Sequence, residues 1–253
     1  MTENDGIIIK TQNEIEHIIE GGKKLSGVKN ELKNSVKEGV NAKEIDDLAS
    51  ELIEKEGAKA SFKMVPGYSW ATCVNINDGV VHGIPKPSVV FRKGDVVSVD
   101  VGMFYKGFHT DTSFTLVVGS NPTFEKFLAT GRKALEKAIS QVRVENRIYD
   151  ISEAIESVVK GGGYSPIRAL VGHGVGRDLH EEPQIPCFTN GNREKSPTIA
   201  LGNVFAIEVM YAMGNPDIKI APDGWTISTS DGTISGLFED TVVVSKEGPL
   251  VIT

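Results

Sequence analysis

The chain has 253 residues, 40% of them hydrophobic and 24% charged, with 27 basic against 34 acidic side chains and a net charge of −7. That length supports one large α/β domain or two small ones, and the composition is ordinary for a soluble globular protein. There is no Lys/Arg block to suit direct nucleic-acid readout, no apolar run of the roughly 20 residues that span a bilayer, and no motif spacing between the two cysteines, Cys73 and Cys187, which argues against a disulfide framework and suits a reducing, cytoplasmic setting.

The opening stretch, MTENDGIIIKTQNEIE, has acids early and no long apolar core, so it does not read as a secretory signal. Thr11-Gln12-Asn13-Glu14 is a capping box, after which Ile15, Ile18, Ile19, Leu25, Val28, Leu32 and Val36 recur at helical spacing. The pattern predicts an amphipathic helix from about Gln12 to Lys37, weakened at Gly21 and Gly22 and ended by Gly39. A second helix opens at Asn41-Ala42-Lys43-Glu44, carries Ile45, Leu48, Leu52 and Ile53, and stops near Gly57. Mixed strands and turns follow from Ser61 to Pro85, including Ala71 to Ile76 and the turn Asn77-Asp78-Gly79.

Asp95 to Val118, DVVSVDVGMFYKGFHTDTSFTLVV, has the composition of a β-hairpin around a Gly-containing break. Asp100 sits in one arm and Asp111 in the other. A turn centred near Tyr105–Lys106 sets them face to face; a turn one residue later leaves them diagonal neighbours. Either register sends both carboxylates out of one face. Such a pair repels, and Asp is disfavoured in strands. Two readings stand at this point: solvated aspartates on a wet sheet face, or a metal-binding pair.

The element order then repeats. Asn121-Pro122 is a cap with proline at the first helical position, and Phe124, Phe127, Leu128, Leu135, Ala138 and Ile139 form a helical face to about Val142. Asp150-Ile151-Ser152-Glu153 reads as a further capping box, opening a short helix to Gly161. Long helix, short helix and β-structure thus occur over 1–119 and again over 120–253, which suggests two similar halves of one domain, 1–253, around a central cleft.

The second half carries the remaining polar signals. Val171-Gly172-His173-Gly174-Val175-Gly176 surrounds a histidine with glycines, His180 follows seven residues later, Glu208 stands inside the apolar run 204–210, and Glu239 stands at the edge of another. Pro222-Asp223-Gly224-Trp225 is a turn that presents a tryptophan. Each has a plain reading alone: a loop histidine, a Lys-paired acid, a solvated acid, a core Trp225, and His82 capping a turn. GHGVGRD lacks both the Walker lysine and the dinucleotide fingerprint. Together, however, four carboxylates and one imidazole offered from apolar or Gly-rich surroundings put four negative charges in one cleft. Two divalent cations cancel that charge, and oxygen-rich ligation with one His suits Mn, Fe, Co or Zn.

The set resembles type I methionine aminopeptidase. The matching stretches are VHGIP at 81–85, SVDVG at 98–102, GFHTDTS at 107–113, GHGVGRDLHEEP at 172–183, FAIEVM at 205–210, DGWT at 223–226 and FEDTVVV at 238–244. The resemblance covers essentially the whole chain. It implies an α/β (α+β) pita-bread fold, with two pseudo-symmetric halves of two helices plus antiparallel β-structure around a central dinuclear metal site. By it, Asp100 would chelate one metal, Asp111 and Glu239 would bridge both, and His173 and Glu208 would complete the second. A hydroxide between the two divalent ions (Co, Mn, Fe or Zn) would attack the first peptide bond, Glu208 would move its proton to the leaving amine, and His82 and His180 would hold the scissile amide.

The same resemblance implies a methionine pocket of Tyr68, Cys73, His82 and Trp225, with Phe62 and Val65 on its wall. Leu179 stands where an aromatic is usual, Val209 replaces a proline and Asp240 a histidine. The implied substrate is a nascent chain or peptide with a small second residue. A monomer without membrane contact, with a ribosome as possible partner, is the corresponding expectation. The spacing of Glu208 and Glu239 leaves no room for the type II insertion. The rivals are a proline-directed (Xaa-Pro) aminopeptidase, a metal-free binding module of the same fold, and a metal-binding protein with altered substrate or no turnover.

Overall fold

The computed structural model describes residues 6–253; the first five residues of the stretch read as lacking a secretory signal lie outside the described residues. Among the described residues four α-helices form, three of them starting where the caps place them. Helix α1 runs Gln12–Ser35 and α2 runs Ala42–Lys55; both carry reciprocal capping boxes, on Thr11 with Glu14 and on Asn41 with Glu44. Helix α1 ends two residues before the expected Lys37 because Val36 is already extended. Helix α3 is Pro122–Ser140 behind the Asn121 cap, and α4 is Ile148–Gly161. The box read at Asp150 is displaced: Asp150 lies within the first turn, where its carboxylate accepts from the Arg147 backbone N–H at 2.8 Å and pairs with Arg193 at 2.6 Å.

The strands are β1 (Lys59–Ala60), β2 (Thr72–Ile76), β3 (Gly79–Val81), β4 (Val96–Tyr105), β5 (Phe108–Val117), β6 (Ser165–Pro166), β7 (Val171–Gly174), β8 (Glu181–Pro186), β9 (Val204–Ala212), β10 (Ile218–Ile220), β11 (Ile227–Thr229), β12 (Ser235–Ser245) and β13 (Gly248–Val251). The large antiparallel sheet has the order β1-β4-β5-β12-β9-β7-β8, with β2 beside β4, β6 beside β9 and β13 beside β12; β10, β11 and β3 make a small second sheet.

Alternation along the strands decides which face holds the chemistry. Val97, Val99, Val101 and Met103 of β4 pack with Leu25, Val28 and Leu32 of α1 and Ile45, Ala49 and Ile53 of α2. In the other half of the sheet, on the same face, Ile207, Val209 and Tyr211 of β9 and Phe238 and Val242 of β12 pack with Phe127 and Ala134 of α3 and Ile151 and Ile155 of α4. Each fully buried aliphatic contributes about 1.5–3 kcal/mol. A one-residue slip would exchange these side chains with Asp100, Glu208 and Glu239, so the packing locks the carboxylates onto the opposite face. Val209 belongs to the helix-covered side and does not reach the cleft.

Gly131 of α3 shows how close that packing is. A Cβ there would lie 2.5 Å from the Phe238 ring and 2.5 Å from Tyr211 Oη. Gly131→Ala should therefore cost about 1–3 kcal/mol of stability by overpacking. Urea denaturation checks this; a variant as stable as the parent would mean that α3 shifts freely.

Candidate active site

The hairpin β4–β5 turns through Lys106 (φ 49°) and Gly107 (φ 91°), the two central residues of a two-residue turn. That is the later of the two registers expected. Asp100 faces Ser113, Asp111 faces Gly102, and the two aspartates are diagonal on one face. The row continues across the sheet: Cys73 pairs with Asp100, Ser113 with Glu239, and Glu239 with Glu208. His173 faces Ala206, two residues from Glu208 on β9. The five candidate ligands thus come from five strands, and donor atoms of Asp111, His173 and Glu239 lie within 4.8 Å of one another.

Like charges set opposite each other are destabilising, and here burial compounds the effect. Burial pushes the Asp100 carboxyl up to about 7. Asp111 and Glu239 are pushed well above the carboxylate range by burial and then by their neighbours' charges, and Glu208 by burial and Asp100. Among the described residues, Asp100 Oδ1 and Glu239 Oε1 are buried without a hydrogen-bond partner. Orphaned carboxyl oxygens of this kind fit divalent cations, which favour their ionised form and supply the missing positive charge. The imidazole fits as well. His173 Nδ1 donates to the Gly174 carbonyl at 2.8 Å, which turns Nε2 and its lone pair toward Glu208 Oε1 at 3.4 Å. Burial lowers the His173 pKa to about 3, so the ring is neutral and its Nε2 lone pair is free.

His82 and His180 flank this group. His82 has φ 57°, a left-handed conformation that is costly away from glycine. It is held there because the Gly83 N–H donates to Asn75 Oδ1 at 2.9 Å, and a Cβ on Gly83 would run into the Val74 carbonyl. The His180 ring lies edge-on to His173, with centroids 4.5 Å apart. Burial lowers the pKa of both rings.

Beside the polar row, Phe62, Tyr68, Cys73 and Leu179 form an apolar cluster with Val65, Trp70, Ile84 and Trp225 packed against it. Tyr68 Oη donates to the Thr72 carbonyl at 2.9 Å, and its ring meets Trp225 edge-on at 5.0 Å. Asp223 accepts from the Trp225 and Thr226 N–H groups at 3.1 and 2.9 Å, so the turn presents the tryptophan as its sequence implied. Gly102 lets this wall close on the sheet, since a Cβ would sit 2.8 Å from Ser61 Cβ. The open cavity of about 120 Å³ is lined by all of the candidate residues, with Val81 added.

Sequence reasoning missed the supports. Asp46 of α2 accepts from the Ala71 and Thr72 N–H groups at 2.8 and 3.0 Å and so anchors β2. Thr241 and Thr112 tie β12 to β5 beneath the ligands. Lys29 is buried on α1. The available signal was a charged residue on an apolar helical face, Asp46 beside Ile45 and Lys29 between Leu25 and Leu32.

The metal-free chain should be more stable at pH 6.5 than at pH 8. A carboxyl whose folded pKa is raised contributes stability that is complete below its unfolded value near 4 and is lost as pH rises through the folded value; for Asp100 that value is about 7. Below pH about 6.5, His82, His109, His173 and His180, all with lowered pKa, work the other way, because they charge more readily in the unfolded chain. Melting temperatures in chelator at the two pH values, with and without added Mn²⁺, check this. A metal-free chain equally stable at both would contradict the buried repulsion.

An antiparallel sheet with helix pairs on one face and carboxylates and histidines converging on the other defines a metal-dependent hydrolase. The model of metallopeptidase family M24 matches residues 16–246. A methionine aminopeptidase of Clostridium perfringens is 39% identical over 98% of each chain. The crystal structure of methionine aminopeptidase from Thermotoga maritima superposes with a TM-score of 0.94 at 38% identity, over 98% of this chain and 99% of that one. Prolidase from Pyrococcus furiosus superposes with a TM-score of 0.75 at 22% identity, over 99% of this chain and 66% of its own, which is a likeness of fold alone. The chain belongs to metallopeptidase family M24, and its fold is the pita-bread fold. Among the described residues, no helix is long and apolar enough to cross a membrane.

Proposed function

We propose that the chain is an aminopeptidase that hydrolyses the first peptide bond and removes the N-terminal methionine of peptides and nascent chains. The observation that carries this is the row of buried, partner-poor carboxylates opening onto an apolar cavity, in a chain 39% identical to a methionine aminopeptidase. Asp100, Asp111, His173, Glu208 and Glu239 would hold two divalent ions, drawn from Co, Mn, Fe or Zn. When bound, such ions offset the buried negative charge, lower the pKa of water and polarise a carbonyl.

The rest of the work falls to the side chains. The apolar wall takes the methionine side chain and excludes water, and Tyr68, Cys73 and Trp225 fix its depth. The free amine of the substrate sits near Asp100. His82 and His180, kept neutral by burial, donate N–H to the scissile amide and to the oxygen on which charge develops. Glu208 accepts the proton of the attacking water and returns it to the departing amine as the C–N bond breaks. Leu179 widens one wall; an apolar pocket discriminates by only about 1–3 kcal/mol per methylene, so side chains close to methionine in size are accepted too.

A small second residue in the substrate, a single catalytic domain over 1–253 of two similar halves, a monomeric state, a cytoplasmic setting and ribosome association belong to the same proposal. The absence of disulfides among the described residues, with Cys73 and Cys187 both buried and free, supports that setting. The proline-directed alternative is not favoured, since the prolidase likeness is confined to fold.

The test is release of free methionine from Met-Ala-Ser by metal-stripped protein with Co²⁺ or Mn²⁺ restored, beside Ala-Pro-Ala. Metal-dependent cleavage of the methionyl peptide alone is expected. Cleavage of the prolyl peptide instead would move the assignment to the alternative, and cleavage of neither would remove it.

A further inference from the structure

Strand alternation puts a second polar group directly behind the carboxylates. Asp111 and Glu239 face the cleft, so their neighbours Thr112 and Asp240 face α1. There Lys29 Nζ donates to Asp240 Oδ1 at 2.6 Å, to Thr112 Oγ1 at 2.8 Å and, longer, to the Glu239 carbonyl at 3.5 Å; Thr112 Oγ1 in turn donates to that carbonyl at 2.8 Å. The Lys29 and Asp240 side chains are only 11% and 17% exposed. A shielded ammonium thus lies one strand's thickness from a site built to attract cations, and its charge draws the Glu239 carboxyl down against the burial that pushes it up. Without a counterion it would repel a divalent ion.

Resting on the ligand assignment above, we propose that Asp240 is a positioning residue for the metal centre. By neutralising Lys29 and holding it on the helix side of the sheet, it sets the affinity with which Asp111 and Glu239 take a divalent cation. A plain structural brace would respond alike to loss of either partner. In a charge-neutralising pair only loss of the carboxylate weakens metal binding.

The experiment is calorimetric titration of the metal-stripped full chain with Mn²⁺ for the parent, Asp240→Asn, Lys29→Met and the double variant, with metal-free melting temperatures alongside. Asp240→Asn should raise the Mn²⁺ Kd about tenfold, the scale of one uncompensated charge at short range. Lys29→Met should leave the Kd unchanged or lower it, although both single variants melt lower because each strands a shielded charge. The double variant should return to within about threefold of the parent, since the non-additivity of a contacting pair reports its coupling. Weaker Mn²⁺ binding in Lys29→Met, or an unchanged Kd in Asp240→Asn, overturns the proposal. If Asp240→Asn fails to melt cooperatively, Lys29→Met and the double variant decide it on the same criteria. Failure of the parent chain to bind Mn²⁺ would overturn the ligand assignment itself, a result distinct from equal binding by parent and variants.

Discussion

Asp111→Ala should lose bound metal and activity together, with kcat/KM falling on the order of 10³-fold or more, equivalent to about 4 kcal/mol of transition-state stabilisation. The residue sits at the centre of the row, diagonal to Asp100 across β4 and β5 and diagonal to Glu239 across β5 and β12. Its backbone is held independently of its carboxylate: the Asp111 N–H donates to Thr241 Oγ1 at 2.9 Å, and the same hydroxyl donates to the Asp111 carbonyl at 2.7 Å. The strand therefore stays in register, and the loss is confined to the ligand atoms. A second consequence has the opposite sign. Asp111 is one of the buried charges that push Glu239 upward, so its removal relieves repulsion in the metal-free chain. The variant should be inactive yet melt higher than the metal-free parent at pH 8. Metal stoichiometry, kcat/KM and the metal-free melting temperature together check this. An unchanged stoichiometry would count against the pairing of the two hairpin aspartates.

The legible part of the molecule was local. Caps at Thr11, Asn41 and Asn121 predicted three helix starts because a side-chain oxygen within three residues of its backbone partner needs no tertiary information. The cap read at Asp150 was three residues late, since Arg147 supplies only extended backbone there and nothing in its side chain announces an N-cap. The hairpin register stayed open between two alternatives because Lys106 is an ordinary residue that happens to adopt a positive φ. The candidate ligands were legible as charged residues inside apolar runs, where the hydrophobic pattern leaves no structural use for them. Lys29, Thr112 and Thr241 were not, because their partners lie more than 80 residues away along the chain and only the strand order β5-β12-β9 brings them together. Val209 looked like a change at the site because it adjoins Glu208 in sequence; alternation sends it to the opposite face.

His180→Ala should keep metal bound and slow kcat by roughly 10²-fold or more, the usual cost of losing one donor to a developing oxyanion, with KM little changed. The ring does not hold its own loop in place. The neighbouring Glu181 does so: its carboxylate pairs with the buried Lys10 and accepts from the Arg177 and Asp178 N–H groups at 2.7 and 3.3 Å. Deleting the imidazole therefore leaves residues 177–181 where they are. Nor does the ring ligate in this assignment. It lies edge-on to His173, whose own orientation is fixed by the Gly174 carbonyl. What is lost is a neutral N–H donor at the mouth of the apolar pocket, where burial keeps the ring from charging. The split between kcat and metal content is the informative readout. Full activity would remove the role assigned to His180. Loss of metal with loss of activity would instead make it a support for the His173 ligand, and the oxyanion would then rest on His82 alone.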